Sequence, residues 1–199
     1  MILWLKTRRP LWLLSAAVAS GALGSLLRGV ALPIPAIGDA LSGLPVPAIV
    51  ALLLLVCHSA LERRAVVPSH ASAARRTTPI ELGWLLVALV AATGCAIGVA
   101  AALGSWTDAA AVVRDLCGLA GMLLLGRALV GQRSPALLPV LYVLAVGMFS
   151  RALPAGLRIV DWPIADVSTA SCTAAAASFL LGLGALAIRG ICRVADRSI

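Results

Sequence analysis

The chain has 199 residues, of which 61% are hydrophobic and 12% are charged, and its formal net charge is +8. A soluble domain carries about 25% charged residues, so this composition excludes an ordinary soluble protein and predicts a polytopic membrane protein. The positive charge does not indicate nucleic-acid binding, because the basic residues form short clusters at the ends of apolar runs, which is the pattern of membrane topology.

Six apolar runs predict an all-α membrane protein with six transmembrane helices in one domain, residues 1–199. The predicted spans are residues 10–27, 44–61, 82–104, 109–130, 135–150 and 167–188. Four prolines around Asp39 predict an external loop over residues 33–47. Pro79 is expected in the first turn of the third helix, and Thr107-Asp108 is expected to cap the fourth.

Residues 62–78 form the longest polar connection in the chain. Its charged residues near the two predicted helices are Glu62, Arg63, Arg64, Arg75 and Arg76. One interpretation is a solvated basic surface that fixes the topology and contacts anionic lipids. The other is a docking element for a cytoplasmic subunit, since topology alone does not need so long a link.

The distribution of basic residues predicts the orientation. Twelve basic residues lie on one side of the predicted spans: Lys6, Arg8, Arg9, Arg63, Arg64, Arg75, Arg76, Arg127, Arg133, Arg189, Arg193 and Arg197. Four lie on the other side: Arg28, Arg114, Arg151 and Arg158. The positive-inside rule therefore places both termini in the cytoplasm. One Lys against fifteen Arg is typical of a GC-rich bacterial gene, so we expect a multi-pass protein of the bacterial cytoplasmic membrane.

Arg114 and Asp115 form the only charged pair inside an apolar run. A charged group at a helix centre costs about 2.5–3.5 kcal/mol on insertion scales, so a function or a partner is expected. Adjacent helical residues point about 100° apart, which predicts that these two do not pair squarely with each other. Either they find partners in the outer loops (Arg158, Asp161, Asp166) and fix helix packing, or they line a translocation path.

Residues 151–167 are too polar to cross a bilayer and too apolar for a plain loop. They predict a short re-entrant or interfacial element on the outer side, carrying Arg158, Asp161, Trp162 and Asp166. Trp162 is expected at the level of the lipid headgroups, where aromatic side chains concentrate.

The sequence lacks the motifs of several enzyme classes. The sequence contains no G-x-x-x-x-G-K-[ST], no H-E-x-x-H and no G-x-S-x-G. It has two histidines and five cysteines without a C-x-x-C, which predicts neither a metal site nor structural disulfides. We therefore expect no enzymatic activity and no cofactor in the chain itself.

Three stretches carry a resemblance to a known family: A-V-V-R-D-L-C-G-L-A-G in the fourth span, L-L-P-V-L-Y-V-L in the fifth, and V-D-W-P-I-A-D before the sixth. In these stretches the chain resembles the small six-helix permease subunits of bacterial ATP-binding-cassette exporters of the ABC-2 type, particularly actinobacterial ones. The resemblance covers most of the chain, from Arg9 to Gly190.

The resemblance implies a six-helix half that pairs with a second permease half, as a homodimer or a heterodimer. It also implies a separate ATPase subunit that holds ATP and Mg, a coupling helix in residues 62–78, and external re-entrant helices in residues 151–167. The chain departs from the family in having Asp115 where Asn is frequent, and in having only nine residues before the first span.

Two alternatives of other classes remain open at the level of sequence. One is the substrate-capturing subunit of an energy-coupling-factor importer, which also has six helices and about this size and needs a preformed external pocket. The other is an integral membrane partner that stabilises another complex without transporting anything.

Overall fold

The computed structural model describes residues 10–27, 29–35, 41–64, 74–131, 134–149 and 161–195. Within these residues the chain folds into six helices and one two-stranded hairpin. In chain order the elements are α1 (Pro10–Leu26), β1 (Ala31–Pro35), β2 (Leu41–Pro45), α2 (Val46–Arg64), α3 (Ala74–Leu103), α4 (Trp106–Leu129), α5 (Leu137–Phe149) and α6 (Thr169–Ala195).

Three of the helices are long and apolar enough to cross a membrane: α3 over Glu81–Leu103, α4 over Trp106–Leu129 and α6 over Thr169–Arg189. The apolar parts of α1, α2 and α5 are shorter. With 13 residues, α5 rises about 20 Å, against about 30 Å for a hydrocarbon core. The prediction of a mostly helical chain is confirmed, and three of its helices are compatible with spanning a membrane. The count of six spans and the side of the termini stay predictions.

The outer surface of the bundle is apolar. Large hydrophobic side chains such as Leu11, Val90, Leu180 and Leu181 are largely exposed. A soluble protein of this size does not present so much contiguous apolar surface to water. The exposed faces of α1, α3 and α6 are therefore compatible with contact to lipid.

Strands β1 and β2 form an antiparallel hairpin where the sequence predicts a plain loop. Pro33 pairs with Gly43, and Pro35 pairs with Leu41. The amide of Val46 donates to the Val30 carbonyl at 3.0 Å, which extends the same register. Pro33 and Pro35 both occupy non-hydrogen-bonded pairs of the antiparallel ladder, in which the backbone N–H does not donate to the other strand. Their missing N–H groups therefore remove no hydrogen bond from the hairpin.

Two helix starts differ from the prediction. Helix α3 begins at Ala74, eight residues before the predicted span, so Pro79 lies within the helix rather than at its first position. Helix α4 begins at Trp106 after Ser105, and Ser105 makes no side-chain capping hydrogen bond. Asp108 therefore lies inside the first turn of α4 rather than at its cap. In the first turn its negative charge still interacts favourably with the positive end of the helix dipole.

The six helices alternate in direction, so that α1, α3 and α5 run toward the hairpin and α2, α4 and α6 run away from it. We call the two ends of the bundle the hairpin end and the far end. The parallel pair α1–α3 is in backbone contact at Gly21, where a Cβ would meet the Ala92 carbonyl. The parallel pair α4–α6 is in backbone contact at Gly121, where a Cβ would meet the backbone of Ser178. Such close approach is typical of helices in membranes.

Candidate functional site

Helix α4 lies at the centre of the bundle. It packs against each of the other five helices, most extensively against α6. Of its apolar segment 72% is buried, compared with 33% for that of α3 and 17% for that of α6. Yet this central helix carries three buried charged side chains, Arg114, Asp115 and Arg127. The structure therefore places the charged groups of the fourth predicted span inside the protein.

Arg114 makes three hydrogen bonds near the hairpin end. Its Nε donates to Oδ1 of Asp115 at 3.0 Å. Its Nη1 donates to the carbonyl of Ala165 at 2.7 Å and to Oγ of Ser171 at 3.3 Å. Arg114 and Asp115 were predicted not to pair squarely, and they share a single hydrogen bond, because the long arginine side chain bends to reach one oxygen of its neighbour's carboxylate.

The segment before α6 supplies the other partners of Arg114. The sequence offers the carboxylates of Asp161 and Asp166 for this role, but the structure uses the backbone carbonyl of Ala165 and the Ser171 hydroxyl. That hydroxyl also donates to the Asp166 carbonyl at 3.1 Å. The Asp161 carbonyl accepts the amides of Ile164 and Ala165, which closes the turn.

A serine pair fixes the start of α6 beside this arginine. The amide of Ser171 donates to Oγ of Ser168 at 3.2 Å, and the amide of Ser168 donates to Oγ of Ser171 at 3.0 Å. This reciprocal arrangement is a capping box with serine in both positions. It orients the Ser171 oxygen that accepts from Arg114.

Trp162 is buried rather than placed at a surface. Only 2% of it is exposed, and its ring stacks on Tyr142 of α5 with centroids 5.8 Å apart. The indole occupies the space beside Gly118 of α4, where a Cβ would clash with it. The indole is therefore enclosed within the bundle rather than on its surface, because the missing side chain at Gly118 opens a slot for it. Its depth relative to the lipid headgroups stays a prediction.

A cavity of about 470 Å³ opens at the hairpin end. Its charged lining residues are Asp108, Arg114, Asp115 and Asp166. The remaining lining residues are mostly apolar: Gly29, Pro45, Pro47, Ala111, Pro163, Ile164, Ala165 and Val167. The volume lies in the range of about 300–1,000 Å³ that is typical of small-molecule sites.

A second buried ion pair lies at the far end and was not expected from the sequence. Arg127 of α4 donates through Nη2 to Oε2 of Glu81 on α3, and both side chains are buried. Arg189 of α6 donates to the backbone carbonyls of Arg127 and Ala128 at the last turn of α4. The signal available in the sequence is weak: Glu81 is an acidic residue at the start of an apolar run that follows a basic connection.

The remaining predicted site residues have less structural support. Arg63 and Arg64 are the last two residues of α2, and Arg75 and Arg76 follow Ala74 in the first turn of α3. Their side chains and that of Glu62 lie outside the described residues. Arg158 also lies outside them. The structure brings Asp166 to the same cavity as Arg114 and Asp115, whereas Asp161 does not line that cavity.

The groups around the cavity are carboxylates, one guanidinium and backbone carbonyls, which suit the binding and orientation of a polar ligand. No family model, no curated protein and no solved structure matches the chain. Any assignment of function therefore depends on the residues and the geometry described above.

Proposed function

We propose that this chain is the membrane-spanning permease subunit of an ATP-driven exporter of the ATP-binding-cassette type. It forms one half of a translocation path with a second permease half, and a separate ATPase subunit supplies the energy. The far end of the bundle faces the cytoplasm, and the hairpin end faces outward. Nucleotide binding on the ATPase biases the two halves between inward-facing and outward-facing states, which requires that it bind one state more tightly than the other.

The observation that supports ATPase docking is the extension of α3 beyond its apolar segment. The helix begins at Ala74, whereas its membrane-compatible segment begins at Glu81. These seven residues rise about 10 Å and include Arg75 and Arg76. Helix α2 likewise continues through Arg63 and Arg64. Two helices that project past the apolar region with basic ends offer a rigid platform to a soluble subunit.

A charge-reversal experiment tests this platform. Arg63, Arg64, Arg75 and Arg76 are changed together to Glu, and the tagged chain is purified in mild detergent from its native membrane. We expect the ATPase subunit to be absent from the purified complex, as identified by mass. The matched control reverses Arg151 and Arg158, which lie on the opposite predicted side, and should retain the ATPase. Retention of the ATPase by the fourfold variant would refute the docking assignment.

The cavity at the hairpin end favours a second candidate function. A substrate-capturing subunit of an energy-coupling-factor importer needs a preformed pocket on its outer side, and the cavity of about 470 Å³ at the hairpin end, the end that we propose to face outward, supports this candidate. In this case the chain binds its substrate tightly without any companion and associates with a transmembrane coupling protein rather than directly with an ATPase.

Two measurements separate the candidates. The masses of the co-purified proteins identify either an ATPase with a second permease half, or a coupling protein. Transport by intact cells gives the direction, since deletion of an exporter raises the cellular content of its cargo, whereas deletion of an importer lowers it. Unchanged transport after deletion would favour a non-transporting partner subunit and overturn both proposals.

A further inference from the structure

The last turn of α4 is joined to two other helices through charged side chains. We call its residues Gly126, Arg127 and Ala128 the far-end turn. Arg127 donates to the carboxylate of Glu81 on α3, and both side chains are buried. Arg189 of α6 donates to the carbonyl of Arg127 at 2.7 Å and also to that of Ala128. Arg127 therefore contacts α3 through its side chain and α6 through its backbone.

The start of α5 packs against the same turn. A Cβ at Gly126 would meet the Pro135 carbonyl and the Leu138 side chain, so a larger residue there would displace α5. Helix α2 also packs against α4. A displacement of α3, α5 or α6 at the far end is therefore shared with the central helix.

Glu81 lies where α3 passes from the proposed docking platform into the apolar region. The helix begins at Ala74, and its membrane-compatible segment begins at Glu81 itself. The residues between these two positions form the extension that we propose to contact the ATPase. Glu81 is thus the first residue of α3 after that extension, and its side chain connects α3 to α4.

An ion pair fixes the relative position of two helices more strictly than an apolar contact does. Apolar attraction has no preferred direction, whereas a guanidinium and a carboxylate need a defined hydrogen-bonding geometry. A buried ion pair adds little net stability compared with apolar residues of the same volume, yet breaking it is costly. The pair of Glu81 with Arg127 is therefore better suited to keep α3 and α4 moving together than to strengthen the fold.

Helix α4 connects the far-end turn with the hairpin-end cavity. It runs from Trp106 to Leu129 without a proline. Arg114, which lines the cavity, lies about 20 Å from Arg127 along the helix axis. A shift of the far-end turn therefore moves the wall that α4 contributes to the cavity.

From these contacts we propose that the ion pair of Glu81 with Arg127 is a coupling link, which carries movement of the α3 extension to α4 and through α4 to the hairpin end. This inference rests on the proposed function, because it assigns the path by which the ATPase acts on the permease. Glu81 and Arg127 are positioning residues in this path. They are needed for the response of the hairpin end to nucleotide and not for docking of the ATPase.

The test uses the native complex, purified with its ATPase and placed in lipid nanodiscs. Hydrogen–deuterium exchange is followed by mass spectrometry with and without ATP, Mg²⁺ and orthovanadate, which hold an ATPase in a nucleotide-bound state. The reporter is the first turn of α4, where the Asp108 amide donates to the Ser105 carbonyl at 3.0 Å. In the wild-type complex we expect nucleotide to change the exchange rate of this turn about five-fold, the lower end of typical coupling between two sites. No change in the wild-type complex would overturn the proposal.

A leucine pair removes the link. Glu81→Leu combined with Arg127→Leu should still co-purify with the ATPase, and the nucleotide-induced change at the first turn of α4 should fall below about two-fold. The matched control is Ser178→Ala, which removes a hydrogen bond from α6 to the Gly118 carbonyl, away from the far-end turn. The control should keep the full response. Equal loss in both variants would show a general loosening of the bundle and contradict a specific link.

A second variant tests the same link while keeping the charges. Glu81→Arg combined with Arg127→Glu exchanges the two groups and should retain most of the response. A folded exchanged pair without the response would refute the coupling link, as would a leucine pair with the full response. Absence of an ATPase from the wild-type complex would instead refute the proposed function, so the two failures are distinguishable.

Discussion

The two buried arginines of α4 are held in different ways at its two ends. Near the hairpin end, Arg114 pairs with its own neighbour Asp115 and with groups of the segment before α6, and the pair borders a cavity. At the far end, Arg127 pairs with Glu81 of another helix. The backbone carbonyl of Arg127 also accepts from Arg189 of α6. No lining residue of the described cavity lies near that end.

This difference teaches how one apolar helix carries charges in two settings. The far-end pair joins α3 to α4, and Arg189 joins α6 to the last turn of α4, so the charged groups at this end hold helices together. The hairpin-end pair is formed within α4, and Arg114 also joins α4 to Ala165 and to Ser171 at the start of α6. Unlike the far-end pair, it borders the described cavity.

The largest effect is expected from breaking the far-end pair on one side. Glu81→Gln removes the carboxylate that pairs with the buried Arg127 and should lower the free energy of unfolding by about 3–5 kcal/mol. Replacing both residues with leucine should restore part of the stability, because it removes both members of the ion pair. The measurement is unfolding in mixed detergent micelles followed by circular dichroism. A double variant as unstable as the single one would contradict the ion-pair explanation.

A methyl group added in the middle of α4, between its two buried arginines, tests whether the backbones of α4 and α6 are in contact. Gly121→Ala places a Cβ against the backbone of Ser178 and should cost about 1–3 kcal/mol through overpacking. Gly94→Ala is the matched control, since nothing in the described chain lies within 4 Å of a Cβ built there. The control should leave the unfolding midpoint unchanged or raise it slightly. Equal destabilisation by both changes would count against the assigned packing.

A smaller effect is expected at the hairpin end from the loss of one hydroxyl. Ser171→Ala removes an acceptor of Arg114 and one half of the serine capping box. We expect a loss of about 1–2 kcal/mol, the scale of a single cap or charged hydrogen bond. Ser171→Thr keeps the oxygen and should recover most of this loss in the same unfolding assay. No recovery would indicate a packing role for Ser171.

The smallest effect on stability is expected from removing the hairpin-end pair as a whole. Arg114→Leu combined with Asp115→Asn removes both charges of this pair, so the free energy of unfolding should change by about 1 kcal/mol or less. Transport should nevertheless be lost. Loss of folded protein, seen as aggregation on size-exclusion chromatography, would instead assign the pair to helix packing.

The sequence predicts the helices because long apolar runs have few other structures available in a membrane. It does not predict their starts: α3 begins at Ala74, where Ala and Arg favour a helix, whereas the prediction opened this helix at Pro79. The hairpin is missed because prolines normally indicate loops. Here Pro33 and Pro35 occupy alternate ladder positions that do not have to donate.

The sequence predicts only those members of the candidate site that are neighbours along the chain. Arg114 and Asp115 stand out because charges are rare in apolar runs, and the segment containing Asp166 was expected beside them. Glu81 and Arg127 lie on two different helices and are 46 residues apart in the sequence, so no local sequence pattern predicts that they pair. The position of Trp162 depends on the missing side chain at Gly118, and that complementarity exists only in three dimensions.

The glycine contact between α4 and α6 limits how the protein can change shape. A Cβ at Gly182 would meet the backbone of Gly121, so the two helices touch without intervening side chains. They are clamped again by Ser171 at one end and by Arg189 at the other. Sliding of one past the other would break every one of these contacts at once. These contacts therefore fix the wall that α4 contributes to the cavity, and the hairpin and the start of α2 line the same cavity through Pro45 and Pro47.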